Sequence, residues 1–125
     1  MRAQAPISSV FALLPIFMGI LFLFFQLPSK EQKLFIAVEA GKMNRVKDLI
    51  DSGVDINSRT AKGRTPLLLA ISARKADVVI FLMQRGADPN IKDNRGISPY
   101  ELALTNGLTN VAEMIQKNTK SKSVN

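Results

Sequence analysis

The chain has 125 residues, 46% of them hydrophobic, and carries 17 Lys and Arg against 10 Asp and Glu, a formal charge of +7. That length holds one domain with at most a short appendage and excludes a two-domain enzyme. The absence of Cys and His removes disulfides, thiol nucleophiles, thiolate or imidazole metal sites and imidazole acid–base catalysis together. The basic balance favours acidic proteins, anionic lipid or nucleic acid as neighbours, without choosing among them.

From the N-terminus, residues 1–6 read as a short tail and residues 7–28 as one apolar helix. Between Arg2 and Lys30 there are 27 consecutive uncharged positions. The 21 residues from Ile7 to Leu27 would form a helix about 31 Å long, close to the ~30 Å hydrocarbon core of a bilayer. The run Phe17-Met18-Gly19-Ile20-Leu21-Phe22-Leu23-Phe24-Phe25 has no polar face, unlike a helix lying on a membrane surface. Pro15 falls where a lipid-embedded helix tolerates a kink, and Pro28 marks the end. A transmembrane or signal-anchor helix is the expectation. The alternative is a cleaved signal, with Met1-Arg2 as a thin positive n-region, which would leave a soluble exported or periplasmic protein. The exit Leu27-Pro28-Ser29 is a poor cleavage match. Lys30, Lys33, Lys42, Arg45 and Lys47 follow the span and favour a cytoplasmic C-terminus, but folded segments can translocate regardless of charge, so the side stays open.

Residues 29–117 are organised by an internal repeat with an offset of 33. Gly53-Val54-Asp55-Ile56-Asn57 returns as Gly86-Ala87-Asp88-Pro89-Asn90, and Gly63-Arg64-Thr65-Pro66 as Gly96-Ile97-Ser98-Pro99. Leu34, Leu67 and Tyr100 correspond, as do Ala37, Ala70 and Ala103, then Val46, Val79 and Ala112, then Leu49, Leu82 and Ile115. Each mark has a physical reading. Pro in a first helical turn loses no needed hydrogen bond, and a preceding Thr or Ser caps the amides. The alanines are small where helices must approach closely. Asn44, Asp77 and Asn110 suit the N-caps of second helices, and Gly53 and Gly86 suit left-handed helix ends.

These residues resemble the ankyrin repeat, a 33-residue unit of a turn and two antiparallel helices with a Thr-Pro-Leu-His-x-Ala core. The resemblance covers about three quarters of the chain and is strongest in Thr65-Pro66-Leu67-Leu68-Leu69-Ala70. It implies an all-α solenoid with repeats at about 30–62, 63–95 and 96–117, preceded by the transmembrane helix. The consensus His is replaced by Leu68 and Glu101, so the usual histidine bonds between turns are missing. Arg74 holds the place of Gly41 and Gly107, where a positive φ would cost on the order of 1 kcal/mol. Residues 118–125, with one apolar side chain, read as a disordered basic tail.

The functional reading that the resemblance implies is a non-catalytic module that binds another protein. Arg59 and Lys92 share one register position, Lys62 and Arg95 another, with Arg64 beside them. In ankyrin stacks these turns project as fingers beside the concave face, so the five residues are the expected partner-binding set, suited to an acidic protein surface, a membrane protein or anionic headgroups. Nucleic acid is not expected, because only Phe35, Phe81 and Tyr100 are aromatic in the repeats and the register buries Tyr100 and Phe81, leaving no stacking platform. Ser72-Ala73-Arg74-Lys75 fits Ser-x-x-Lys, but its partner motifs are absent and Ser72 reads as a solvated helix end. The carboxylates of Glu39, Asp48, Asp51 and Asp55 lie on separate faces, and no glycine loop suits a phosphate. No cofactor, metal or catalytic residue is expected.

Overall fold

In the computed structural model the backbone of residues 5–123 and the side chains of residues 14–123 are described. The N-terminal positions 1–4, most of the expected short tail, lie outside the described residues. Helix α1 (Ala5–Phe25) is followed by three helix pairs: α2 (Lys30–Glu39) with α3 (Met43–Asp51), α4 (Pro66–Ser72) with α5 (Ala76–Gln84), and α6 (Pro99–Thr105) with α7 (Thr109–Ser123). No strand occurs among the described residues. The first helices of successive pairs pack in a row, α2 on α4 and α4 on α6, while α3 packs on α5.

Ala37, Ala70 and Ala103, one in each helix of the row, are all buried, and a larger side chain at these positions would crowd the row. Leu34, Leu67, Val38 and Ile71 fill the first-helix layer, and Val46, Val78, Val79, Leu82 and Ile115 fill the second, all at 1% exposure or less. A pair taken alone would leave one such face in water; stacking covers it. The middle pair, flanked on both sides, is the most deeply enclosed: every residue from Pro66 to Ile71 is buried.

Local sequence starts each first helix. Thr65 Oγ1 accepts from Leu68 N, with Pro66 in the first turn. Ser98 accepts from Glu101 N, and Ser98 N donates back to Glu101 Oε2 at 2.9 Å. Glu101, which replaces a consensus His, thus completes a reciprocal cap, and Leu68 at the equivalent position is fully buried. The first pair has no Thr-Pro, but Ser29 and Gln32 form the same reciprocal cap. This cap lies one turn earlier than the repeat register, so α2 extends toward α1. The Ser-x-x-Gln spacing was the available signal for it.

The second helices depart from expectation. Asn44, Asp77 and Asn110 are not their N-caps; each is the second residue of its helix, and Lys42 and Lys75 hold the cap positions of α3 and α5 without side-chain cap bonds. The tight turn after each first helix places a left-handed residue, Gly41, Arg74 or Gly107, two residues ahead of the next helix, so that helix begins two residues sooner than a cap at Asn44, Asp77 or Asn110 would allow. Asp77 instead accepts from Val78 N and puts negative charge in the first turn, where the helix dipole favours it. Phe81 is half-exposed rather than buried. Lys47 Nζ and Arg85 Cζ lie 5.8 and 5.4 Å from its ring centroid, so the ring packs against the edge of the core with two cations beside it. Tyr100 is also half-exposed, at the outer face of the third helix pair.

Helix α7 continues to Ser123, through most of the stretch whose composition suggests disorder. No Gly or Pro interrupts it, Thr119 donates to Ile115 O, and Lys120 and Lys122 stand in its last turn, where cations suit the dipole. Residues 124 and 125 lie outside the described residues.

The apolar N-terminal segment is helical over Ala5–Phe25, two residues ahead of the expected start and ending before the Gln26–Ser29 connection. Its described side chains, Leu14 to Phe25, are all exposed. Counted over described residues, no single helix is long and apolar enough to cross a membrane; Leu14–Phe25 and α2 pass by length and composition only as a pair bent by 48°. Helix α2 commits Leu34, Ala37 and Val38 to the repeat core, which takes that face away from lipid.

Arg74 adopts φ 59°, the left-handed conformation its register position demands. Its guanidinium donates to Asn106 O at 2.9 Å, and Asn106 Nδ2 donates to Ile71 O at 3.3 Å, so the strained turn is tied to the next repeat in both directions. Arg74→Ala removes the tie and keeps the strain, whereas Arg74→Gly removes both. Urea melts are expected to place the Gly variant above the Ala variant by about 1 kcal/mol; equal stabilities would show that the left-handed Arg carries no strain.

Candidate binding surface

The turns leading into α4 and α6 are built alike. Thr60 N donates to Arg64 O and Asp93 N to Ile97 O, closing two small loops in the same register. The side chain at the head of each loop secures it: Thr60 Oγ1 accepts from Arg64 N, and Asp93 Oδ1 accepts from Arg95 N and Ile97 N. The loops are then joined to each other. Asn94 N donates to Lys62 O at 3.1 Å, and Asn94 Nδ2 to Ala61 O at 3.0 Å. One step away, Asp88 N donates to Asn57 Oδ1.

This construction decides what the five expected contact residues do. Arg59 donates from Nη2 to Lys92 O at 2.8 Å and from Nε to Gly63 O at 3.1 Å, binding the two loops together through backbone carbonyls. Arg64 and Arg95 converge on Asp93, at 3.8 and 3.1 Å. Asp93 has a side chain only 2% exposed, and that of Arg64 is 25% exposed. Lys62 and Lys92 are exposed, and the Arg95 side chain keeps 59% of its surface in solvent. The ladder is therefore real as a neighbourhood but divided in role. Arg59 and Arg64 hold the loops, while Lys62, Lys92 and the outer part of Arg95 face outward. A hollow of about 310 Å³ lies between them, lined by Ala61, Lys62, Arg64, Asn94 and Arg95.

Gly63 has φ +74°, and a Cβ there would lie 2.2 Å from Asn94 Oδ1 and 2.8 Å from Arg59 Nη2. The residue thus leaves room for the two side chains that tie the loops, as well as supplying the left-handed turn.

Sequence reasoning missed Asp93. Its signal was the Asp-x-x-Gly run from Asp93 to Gly96, the register equivalent of Thr60 to Gly63, in a loop where a carboxylate can accept from successive amides. Burial is the largest single influence on this carboxyl and works to raise its pKa. The amides of Ile97 and Arg95 and the Arg95 guanidinium together outweigh burial and hold it below the ordinary value.

The remaining candidates are not brought into a constellation. Ser72 ends α4, and the alkyl chain of Lys75 packs over Gly41 of the preceding repeat. Asp51 is paired with Arg85, and Asp55 accepts from Asn57 N. Among the described residues no group of three or more His, Cys, Asp or Glu could hold a metal ion.

A depressed Asp93 pKa stabilises the fold above the unfolded Asp value of ~3.9, and that contribution is lost as pH falls through the lower folded value. Thermal melts are expected to give a flat Tm from neutral pH to about 5 and a fall below about 4. Asp93→Asn should lower Tm at neutral pH and flatten the acid limb. A variant with the wild-type acid slope would remove Asp93 as its source.

A family model described as ankyrin repeats matches residues 34–125 in three copies. No curated protein matches the chain at a significant level.

Proposed function

Because this chain belongs to the ankyrin repeat family, whose stacks are protein–protein interaction modules, we propose that it is a non-catalytic binding module held at a membrane by α1. The observation that carries the binding role is the cross-tied pair of loops, which presents Lys62, Lys92 and Arg95 from a fixed frame. Fixing the backbone that carries these side chains lowers the entropy lost when a partner is engaged. Their common sign suits an acidic protein surface, and such charges act chiefly on encounter and partner choice.

The membrane role is supported by the uncharged run from Ala3 to Ser29 and by the exposed apolar side chains of Leu14 to Phe25. Apolar surface of that extent needs a cover that the repeat stack does not supply. A single span with the repeats on one side would confine the module to two dimensions and raise its concentration near membrane-bound partners.

Two measurements test this reading. The first is the intact mass of the C-terminally tagged protein from its native host after alkaline extraction. Full-length mass in the membrane pellet is expected; a mass shortened by roughly 29 residues in the soluble fraction would replace the anchor by an export signal. The second is charge reversal. Lys62→Glu with Lys92→Glu should slow capture of the physiological partner by roughly tenfold, with less effect at high salt. Arg59→Glu should instead lower Tm, because it breaks both backbone ties. Unchanged capture by the double variant would exclude this edge as the contact surface.

A further inference from the structure

We propose that the open edge of the first repeat docks on anionic phospholipid headgroups of the membrane that carries α1, an inference that rests on the membrane reading above. On the side of α2 and α3 where no repeat precedes, a hollow of about 440 Å³ is lined by Lys33, Ile36, Ala37, Lys42 and Arg45. Three cations stand over an apolar floor, and no carboxylate is among the lining residues. Ile36 is 62% exposed, whereas Leu69, its register equivalent in the enclosed second repeat, is 4% exposed. The edge thus combines an uncovered aliphatic side chain with a ring of positive charge. Phosphate headgroups above acyl chains offer the complementary pair of chemistries.

Connectivity places this edge where such lipids would be. Helix α2 starts only four residues after α1, across Gln26–Ser29, a connection that reaches at most about 14 Å. The 48° bend between Leu14–Phe25 and α2 turns the start of the stack aside without carrying it away. Lys30 and Lys33 are in the first turns of α2 and exposed, within roughly a Debye length or two of the end of the apolar helix. Lys42 and Arg45 follow at the start of α3, at the opposite end of α2 from α1, and the first turn of α3 has no side-chain cap, so its amide groups add partial positive charge beside these two cations. The nearby carboxylates Glu31, Glu39 and Asp48 do not line the hollow. A basic residue close to an anionic leaflet is worth a factor of about five in residence there. Three together would hold the stack against the membrane in one orientation, with the loops of Lys62 and Lys92 left to another partner.

The test uses the full chain reconstituted into phosphatidylcholine vesicles and into vesicles that also contain phosphatidylglycerol. Lysines are labelled with a water-soluble acylating reagent and read by mass spectrometry. In the anionic vesicles Lys33 and Lys42 are expected to react about fivefold more slowly than in the neutral ones, while Lys62, Lys92 and Lys117 serve as internal controls and stay unchanged. The protection should vanish at high salt. In the variant Arg45→Gln, the protection of Lys33 and Lys42 should weaken, with circular dichroism confirming the fold. Equal reactivity of Lys33 and Lys42 in both vesicles would overturn the docking, as would protection in neutral vesicles alone, which would point to a second copy of the chain. Alkaline extraction of the neutral vesicles reports on α1 separately. Retention without protection defeats the docking and spares the anchor; loss from neutral vesicles with protection in anionic ones does the reverse.

Discussion

The structure depends on one constraint: a two-helix unit of this size cannot bury its own apolar face and must lean on a neighbour. Ala37, Ala70 and Ala103 meet that constraint by letting α2, α4 and α6 pack side by side. The large side chains then close the layer on either flank. Enclosure is accordingly greatest in the middle, where Pro66 to Ile71 are all buried, and least at the ends, where Ile36 and Tyr100 keep surface in solvent. Of the three copies, the middle one is flanked by a described repeat on both sides, which is why it is the most enclosed.

Polar cross-ties carry the part of the cohesion that apolar burial cannot direct. Side chains from one repeat reach backbone carbonyls of its neighbour at both ends of the first helices: Arg59 forward and Asn94 back across the loops, Arg74 forward and Asn106 back across the helix–helix turns. Bonds of this kind fix the rotation of one repeat on another, which hydrophobic contact alone leaves loose. They also change the meaning of the basic composition. Some of the positive charge that suggests a ligand is engaged by the fold's own loops, on carbonyls and on Asp93, so the basic residues are not all free for a partner. The exposed pair Arg85 and Asp51 joins α5 to α3 as well, but a solvated ion pair adds at most about 1 kcal/mol.

The two ends of the stack have different characters. The N-terminal edge is basic and runs directly into the apolar helix α1, while the C-terminal end is extended by the polar, lysine-bearing later turns of α7. The loops that carry Lys62 and Lys92 lie between these ends. An arrangement of this sort can meet a surface at one end and a partner along the middle without either contact obstructing the other.

Much was legible in the residues themselves. The 33-residue offset, the Thr-Pro and Ser-Pro starts, the small alanines, the left-handed positions and the neighbourhood of Arg59, Lys62, Arg64, Lys92 and Arg95 all follow from spacing and local chemistry, because a repeat imposes the same short-range geometry on each copy. The tertiary structure decided which side chains of that neighbourhood are engaged. Arg59 and Arg95 are both basic in sequence, yet one spans two backbone carbonyls and the other pairs at its edge with a buried Asp93. Whether a charge faces water or a carbonyl of the next repeat depends on groups 33 residues away, brought within 3 Å only by stacking. The same reason accounts for Phe81, whose cover of Lys47 and Arg85 comes from α3 as well as from its own helix. It accounts too for the second-helix starts, which the positive-φ turns set in place of the Asn and Asp caps that composition favours.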